Sequence, residues 1–214
     1  MPATADDVLS ALNWRYAVKK FDATRKIPAD TWALLEESLR LSPSSYGLQP
    51  WKFIVVNTPA LREQLLPHSW GQKQIVDASH LVVLAVKQPV TPADGDRLVE
   101  YSTTARGLPA GALDAYKGMV VGSLSRTPDD AKDVWMSRQV FIALGVLLTT
   151  AAMLHVDACP MEGFVPEKYD EILGLTAKGY ASRVVATLGY RAADDAYGGY
   201  AKVRYPKAEI IETL

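Results

Sequence analysis

The sequence predicts an α+β fold, a central sheet of four or five strands wrapped by helices, in a single domain over residues 1–214. Three observations carry this expectation. Four short runs, Trp51 to Val56, His80 to Val86, Val156 to Met161 and Ser182 to Tyr190, are β-branched, aromatic or otherwise apolar and are bounded by turn residues. Between them lie longer stretches with apolar residues at helical spacing. The chain of 214 residues, 49% hydrophobic and 22% charged, has ordinary globular values and enough length to bury one sizeable core.

Thr4 to Asn13 reads as a short amphipathic helix, with Thr4 as N-cap, Asp6 and Asp7 in the first turn, and Val8, Leu9 and Leu12 on one face. A second helix opens at Asp30, read as its N-cap, with Trp32, Leu35, Ser38, Leu39 and Leu41 as its stripe. Ser42 to Pro50 is turn chemistry, and Trp51 to Val56 is a strand expected to be buried on both faces. Thr58 caps a short helix with Pro59 at its first position, where a missing N–H costs nothing. Gly71 to Asp77 is another short helix, leading into the strand from His80.

Residues 88–128 form a helical excursion, with helices from Pro92 to Arg106 and from Pro109 to Leu124. Pro128 starts the longest helix, ending near Leu154. Its Val140 to Leu154 half is apolar almost all round and is expected to be buried in the core and in a dimer interface. That apolar half is shorter than the roughly 20 residues of a membrane span, so no membrane is expected. A short helix from Val165 to Leu173 and the strand from Ser182 follow, and Ile210 and Ile211 are candidates for an edge strand.

Composition narrows the function. A formal net charge of −1 argues against a nucleic-acid binder, which would carry a broad basic face. The single cysteine, Cys159, excludes an internal disulfide and fits a reducing compartment; set in an apolar strand, it reads as a small hydrophobe. The opening Met1 to Asp7 is acidic rather than signal-like, so a cytoplasmic protein is expected. His68, His80 and His155 show no ligand spacing, so no metal is expected. Neither a Gly-x-Gly-x-x-Gly turn nor a Walker loop is present.

Two basic, aromatic segments stand at opposite ends of the chain, Arg15 to Asp22 and Lys202 to Lys207. Guanidinium groups grip phosphates bidentately, so together the segments suit an anionic ligand. A pair of solvated basic turns is the alternative. The hydroxyl-rich loop from Ser42 to Pro50, delivered by a strand, is the third candidate binding element.

Five motifs in order, RYAVKKFD from Arg15, SPSSYGLQPWKFIVV from Ser42, DASHLVVLAVK from Asp77, ACPMEGF from Ala158 and KVRYP from Lys202, resemble the oxygen-insensitive nitroreductase family of FMN-dependent NAD(P)H oxidoreductases. The resemblance implies a mostly antiparallel sheet and an intertwined homodimer with two FMN sites at its interface, the C-terminal tail pairing with the partner's sheet. It places Arg15, Lys202 and Arg204 on the FMN phosphate, with Tyr16 and Ala17 beside them, Ala17 standing where many members have serine. Lys19 falls at the pyrimidine edge of the flavin, and Pro43, Ser44, Ser45 and Gly47 fall on the partner's FMN, Gly47 at a position often asparagine.

Gly71 and Gln74 stand where some relatives hold the ring with asparagine and lysine, with Gln72 and Lys73 nearby and Gln72 and Gln74 taken as the candidate ring contacts. The uncharged Gln74 would leave Lys19 alone to stabilise the reduced flavin and lower its potential. Pro160, Met161, Glu162 and Gly163 fall on the ring, with the backbone of Glu162 and Gly163 toward N5 and O4. Glu162 and Lys19 are the candidate catalytic residues. By the same resemblance the excursion over 88–128 is expected to cover the flavin, and Met119 to Val121, where some relatives place bulky aromatics, to give a roomier acceptor pocket. The implied reaction is ping-pong hydride transfer from NAD(P)H through FMN to nitroaromatics, quinones or similar small acceptors. A flavin enzyme with another acceptor, as in reductive dehalogenation, and a non-catalytic FMN-binding protein are the alternatives.

Overall fold

The computed structural model describes residues 4–214, and its architecture is α+β. Strands β1 (Trp51–Val55), β2 (His80–Lys87), β3 (Asp157–Met161) and β4 (Tyr180–Gly189) form one sheet in the order β1-β2-β4-β3, every pair antiparallel. The central strand β2 explains its own sequence. Side chains alternate across a strand, so Leu81, Val83 and Ala85 enter one core and Val82, Leu84 and Val86 the other. A sheet covered on both faces needs a continuous apolar run rather than an alternating one.

One face is covered by α2 (Ala29–Arg40) and α7 (Asp129–Met153), flanked by the hairpin of α5 (Pro92–Ala105) and α6 (Asp114–Arg126). The other carries α3 (Pro59–Leu65), α4 (Gln74–Asp77) and α8 (Pro166–Leu173). The first helix, α1 (Ala5–Trp14), lies against α7, and the one-turn α9 (Lys207–Ile210) closes the chain. Thr4 caps α1 as expected, within a capping box: Asp7 N–H donates to Thr4 Oγ1 at 3.2 Å and Thr4 N–H donates to Asp7 Oδ2 at 2.9 Å.

Several boundaries differ from the sequence expectation. Pro28, not Asp30, occupies the N-cap of α2, and Leu41 is 65% exposed because the helix ends before it. The helix expected from Gly71 begins only at Gln74, since Trp70 and Gly71 adopt φ of 54° and 68°. Pro109 precedes a turn with Gly111 at φ 83°, and α6 opens at Asp114. Strand β1 lies at an edge of the sheet and is half-buried, not sealed on both faces. Ile210 and Ile211 form no strand; both are exposed at the end of α9.

Helix α7 is the largest difference. It is 25 residues long, apolar enough by length and composition to cross a membrane, and packs Val140, Ala143, Leu144, Leu147 and Ala151 against the sheet. The opposite side leaves Phe141 and Ile142 exposed. Burial all round is therefore not achieved within one chain.

Buried Arg62 and half-buried His80 lock α3 and β2 in place. The Arg62 guanidinium donates to the carbonyls of Val56 (2.7 Å), Ala78 (2.6 Å) and Ser79 (3.0 Å), closing three acceptors that the chain leaves open there. His80 stacks on Trp32 with centroids 3.8 Å apart, and its pKa falls from 6.5 to about 4 through burial, helped by Arg62 and Lys26. The native state thus favours the neutral ring, and the unfolded chain takes up the proton first. Stability contributed by His80 is complete above pH 6.5 and is lost as pH falls toward 4. In His80→Phe, which keeps the stack, the melting temperature will depend less on pH across that window; an unchanged slope would exclude His80 as its source.

Candidate active site

The free backbone edge of β3 organises the first cluster. Val18 N–H donates to Ala158 O at 3.4 Å and Ala17 forms a parallel bridge with Ala158, so the segment after α1 docks along that edge. Asp195 holds it there. Its Oδ2 accepts from Lys19 N–H at 3.0 Å, Lys20 N–H at 3.3 Å and the Tyr16 hydroxyl at 3.1 Å, while Oδ1 accepts from Tyr197 N–H at 3.2 Å. Partial burial works to raise the Asp195 pKa, but these donors hold it below the usual carboxylate value. Burial, with a smaller push from Asp195, drives Tyr16 up to about 12 against the pull of Arg191. Asp195 was missing from the sequence candidates; paired acids in a Gly-rich turn, opposite a basic segment, were its only signal.

The tail returns to the same corner. Lys202 Nζ donates to Arg15 O, and Arg204 follows with its guanidinium donating to Val203 O at 2.6 Å. Burial and then the charge of Arg204 lower the Arg15 pKa; burial, Arg204 and Arg15 lower that of Lys202. Among the described residues none of Arg15, Lys19, Lys202 and Arg204 forms an ion pair, whereas Lys20 pairs with Asp194 and Arg191 with Asp157. Mutually repelling cations without a carboxylate are relieved by an anion. Lys19 Nζ also stands 4.0 Å from Cys159 Sγ, a fully buried thiol whose pKa burial pushes up.

The exit of β3 is fixed from another direction. Gln72 Nε2 donates to Gly163 O at 2.9 Å, and Val165 N–H donates to His68 O at 2.9 Å. A Cβ on Gly163 would lie 2.8 Å from Trp70 Cζ3, so any side chain there would have to displace the indole lying on it. Trp70 itself is 72% exposed on a left-handed backbone. It was not among the sequence candidates, although an aromatic just before Gly71 was readable. Glu162 is exposed and Pro160 half-buried, while the Met161 side chain lies in the core, leaving only its backbone for a ligand. Gln74 is buried within α4, and it is Gln72 that reaches the Gly163 loop.

The serine loop is elsewhere. Ser45 N–H donates to Gln139 Oε1 at 2.9 Å, Trp135 Nε1 donates to Ser45 Oγ at 3.1 Å, and Gln49 N–H donates to Ser44 Oγ at 2.9 Å. Pro43 is exposed and Gly47 half-buried at φ 72°. The loop leads into β1, the sheet edge opposite β3, three strand spacings or about 14 Å across. The chain therefore divides its candidate residues into two groups that do not meet within one copy.

The α+β sheet thus carries, beside the exit of an edge strand, a cationic corner that forms no ion pair among the described residues. The chain belongs to the nitroreductase family, whose model matches residues 12–190. It is 33% identical over 227 residues to a protein assigned as an NAD(P)H nitroreductase in Staphylococcus haemolyticus, covering 100% of both chains. It is 37% identical over 223 residues to one so assigned in Staphylococcus epidermidis, covering 97% and 96%. The fold matches a crystal structure of a protein assigned as a nitroreductase from Bacillus subtilis, with a TM-score of 0.87, 19% identity and 99% and 100% coverage. It also matches one from Exiguobacterium sibiricum solved in complex with FMN, with a TM-score of 0.82, 21% identity and full coverage of both chains.

Proposed function

We propose that this protein is a homodimeric, FMN-dependent oxidoreductase that carries a hydride from NAD(P)H to nitroaromatic, quinone or similar electron-poor acceptors in a ping-pong cycle. The observation that carries the reading is the corner where Arg15, Lys202 and Arg204 converge with no carboxylate to neutralise them. That donor set fits a phosphate monoester such as that of FMN. When bound, FMN supplies the redox chemistry, passing a hydride equivalent between nicotinamide and acceptor.

The chain's own residues supply position and charge. Arg15, Lys202 and Arg204 hold the phosphate, and Asp195 fixes the backbone of Lys19 so that its ammonium serves the pyrimidine edge of the flavin. Gln72 anchors the Gly163 carbonyl, which leaves the Gly163 N–H to donate toward the ring. Pro43, Ser44, Ser45 and Gly47 serve the second copy's flavin, in keeping with their place on the opposite sheet edge. The exposed side of α7 at Phe141 and Ile142 and the apolar tail at Ile210 and Ile211 are surfaces that the second copy covers.

The test is the visible spectrum of the purified protein without oxygen. Flavin bands that bleach with NADH or NADPH and return with a quinone or nitroaromatic are the expected result. A protein that takes up no FMN, or whose bound FMN neither nicotinamide reduces, would refute the reading.

A further inference from the structure

The tail and the segment after α1 run side by side in opposite directions. Ala192 N–H donates to Lys20 O at 2.9 Å, and further along Lys202 Nζ donates to Arg15 O. Between these two ties, no backbone–backbone hydrogen bond joins the two segments among the described residues. Asp195 makes the join instead, one carboxylate oxygen accepting from Lys19 N–H, Lys20 N–H and the Tyr16 hydroxyl. The side chains of the neighbouring Lys20–Asp194 pair are 56% and 69% exposed, and pairs so exposed hold little.

The turn around Asp195 is closed on itself. Asp195 N–H donates to Ala192 O at 3.1 Å, Gly198 N–H to Asp195 O at 3.0 Å and Tyr200 N–H to Tyr197 O at 3.2 Å. A Cβ on Gly198 would lie 3.0 Å from the Tyr16 hydroxyl, so the turn sits directly on that residue. Beyond the turn, Tyr200, Val203 and Tyr205 are 68%, 84% and 76% exposed, so side-chain packing does not guide Lys202 and Arg204 to Arg15. The direction in which the turn releases the chain does.

The charge of Asp195 runs against the use of the corner. Tyr16, which it holds, adjoins Arg15, and a carboxylate there repels any anion that Arg15, Lys202 and Arg204 hold. Electrostatics alone would favour a neutral residue. Geometry gives the acid its reason, because four donors from two distant segments converge on it.

We propose that Asp195 is a positioning residue for the phosphate, an inference that rests on the FMN-dependent function proposed for the chain. It clasps the tail to the segment after α1 and so brings Lys202 and Arg204 into one site with Arg15. It touches no ligand and acts through those cations.

The experiment measures FMN affinity by equilibrium dialysis for the unaltered protein, Asp195→Ala, Asp195→Asn, Lys202→Met/Arg204→Met and the triple variant that adds Asp195→Ala to that pair. Loss of a negative charge would by itself tighten FMN, so the sign of the change decides. Asp195→Ala will instead weaken it about tenfold or more, the scale of a lost charge-assisted contact. Asp195→Asn, which keeps an oxygen for the same donors, will bind at least as tightly as the unaltered protein. In the triple variant the added Asp195→Ala will cost no more than about threefold, since residues acting through one another are not additive. FMN bound equally or more tightly by Asp195→Ala would overturn the proposal. So would an Asp195→Asn as weak as Asp195→Ala, or a full further loss in the triple variant, which general damage to the fold would produce. Asp195 lies outside both buried clusters, and circular dichroism of each variant checks that the fold is intact. Those outcomes strike this proposal alone, whereas an unaltered protein that takes up no FMN would refute the flavin-dependent function and this proposal with it.

Discussion

Replacing both Lys202 and Arg204 with methionine will weaken FMN retention by more than a hundredfold, about 3 kcal/mol or more at ~1.5–3 kcal/mol for each charge-assisted bond. Methionine keeps the apolar stem and removes only the charge, so the loss reports electrostatics rather than packing. A second signature separates this from simple damage. Arg204 repels Arg15 and Lys202 in the flavin-free protein and donates only to its neighbour Val203, so Arg204→Met alone will not lower the melting temperature of that form. Equilibrium dialysis and calorimetry read the two effects; undiminished retention in the double variant would remove this corner from the phosphate site.

Gly163→Ala will lower kcat/KM by about tenfold, the loss expected when a group that positions the reacting centre is displaced by a fraction of an ångström. The new Cβ would sit 2.8 Å from Trp70 Cζ3 and 3.0 Å from Gln72 Nε2, so the indole and the amide that fix the β3 exit must both give way. Adding Trp70→Ala removes the larger obstacle. If the indole is the constraint, the pair will be more active than Gly163→Ala alone, and the double-mutant cycle will show coupling. A pair no better than the single variant would assign the glycine to something other than Trp70.

Local chemistry was legible in the sequence, and long-range pairing was not. The capping box of α1 lies within four residues, and β2 was readable as a strand, although the burial on both faces expected of β1 belongs to β2 instead. Boundaries failed where backbone conformation overrode composition, as at Trp70, whose left-handed φ delays α4, and at Gly111 ahead of α6. Asp195 acts across more than 170 positions on Lys19 and Lys20, which no spacing rule reaches. The apolar perimeter of α7 announced burial, yet one chain buries only one side of it. The motifs named the two halves of the candidate site, while the sheet order set them on opposite edges.

Cys159 is the only cysteine in the sequence and is fully buried on β3. A thiol reagent can reach it only when that edge strand opens, so its labelling rate times the breathing of the active-site wall and stays silent to fraying of α9 or the α5–α6 hairpin. Without an introduced probe, the chain carries a clock for the opening of the one strand on which the cationic corner and the Gly163 loop both depend.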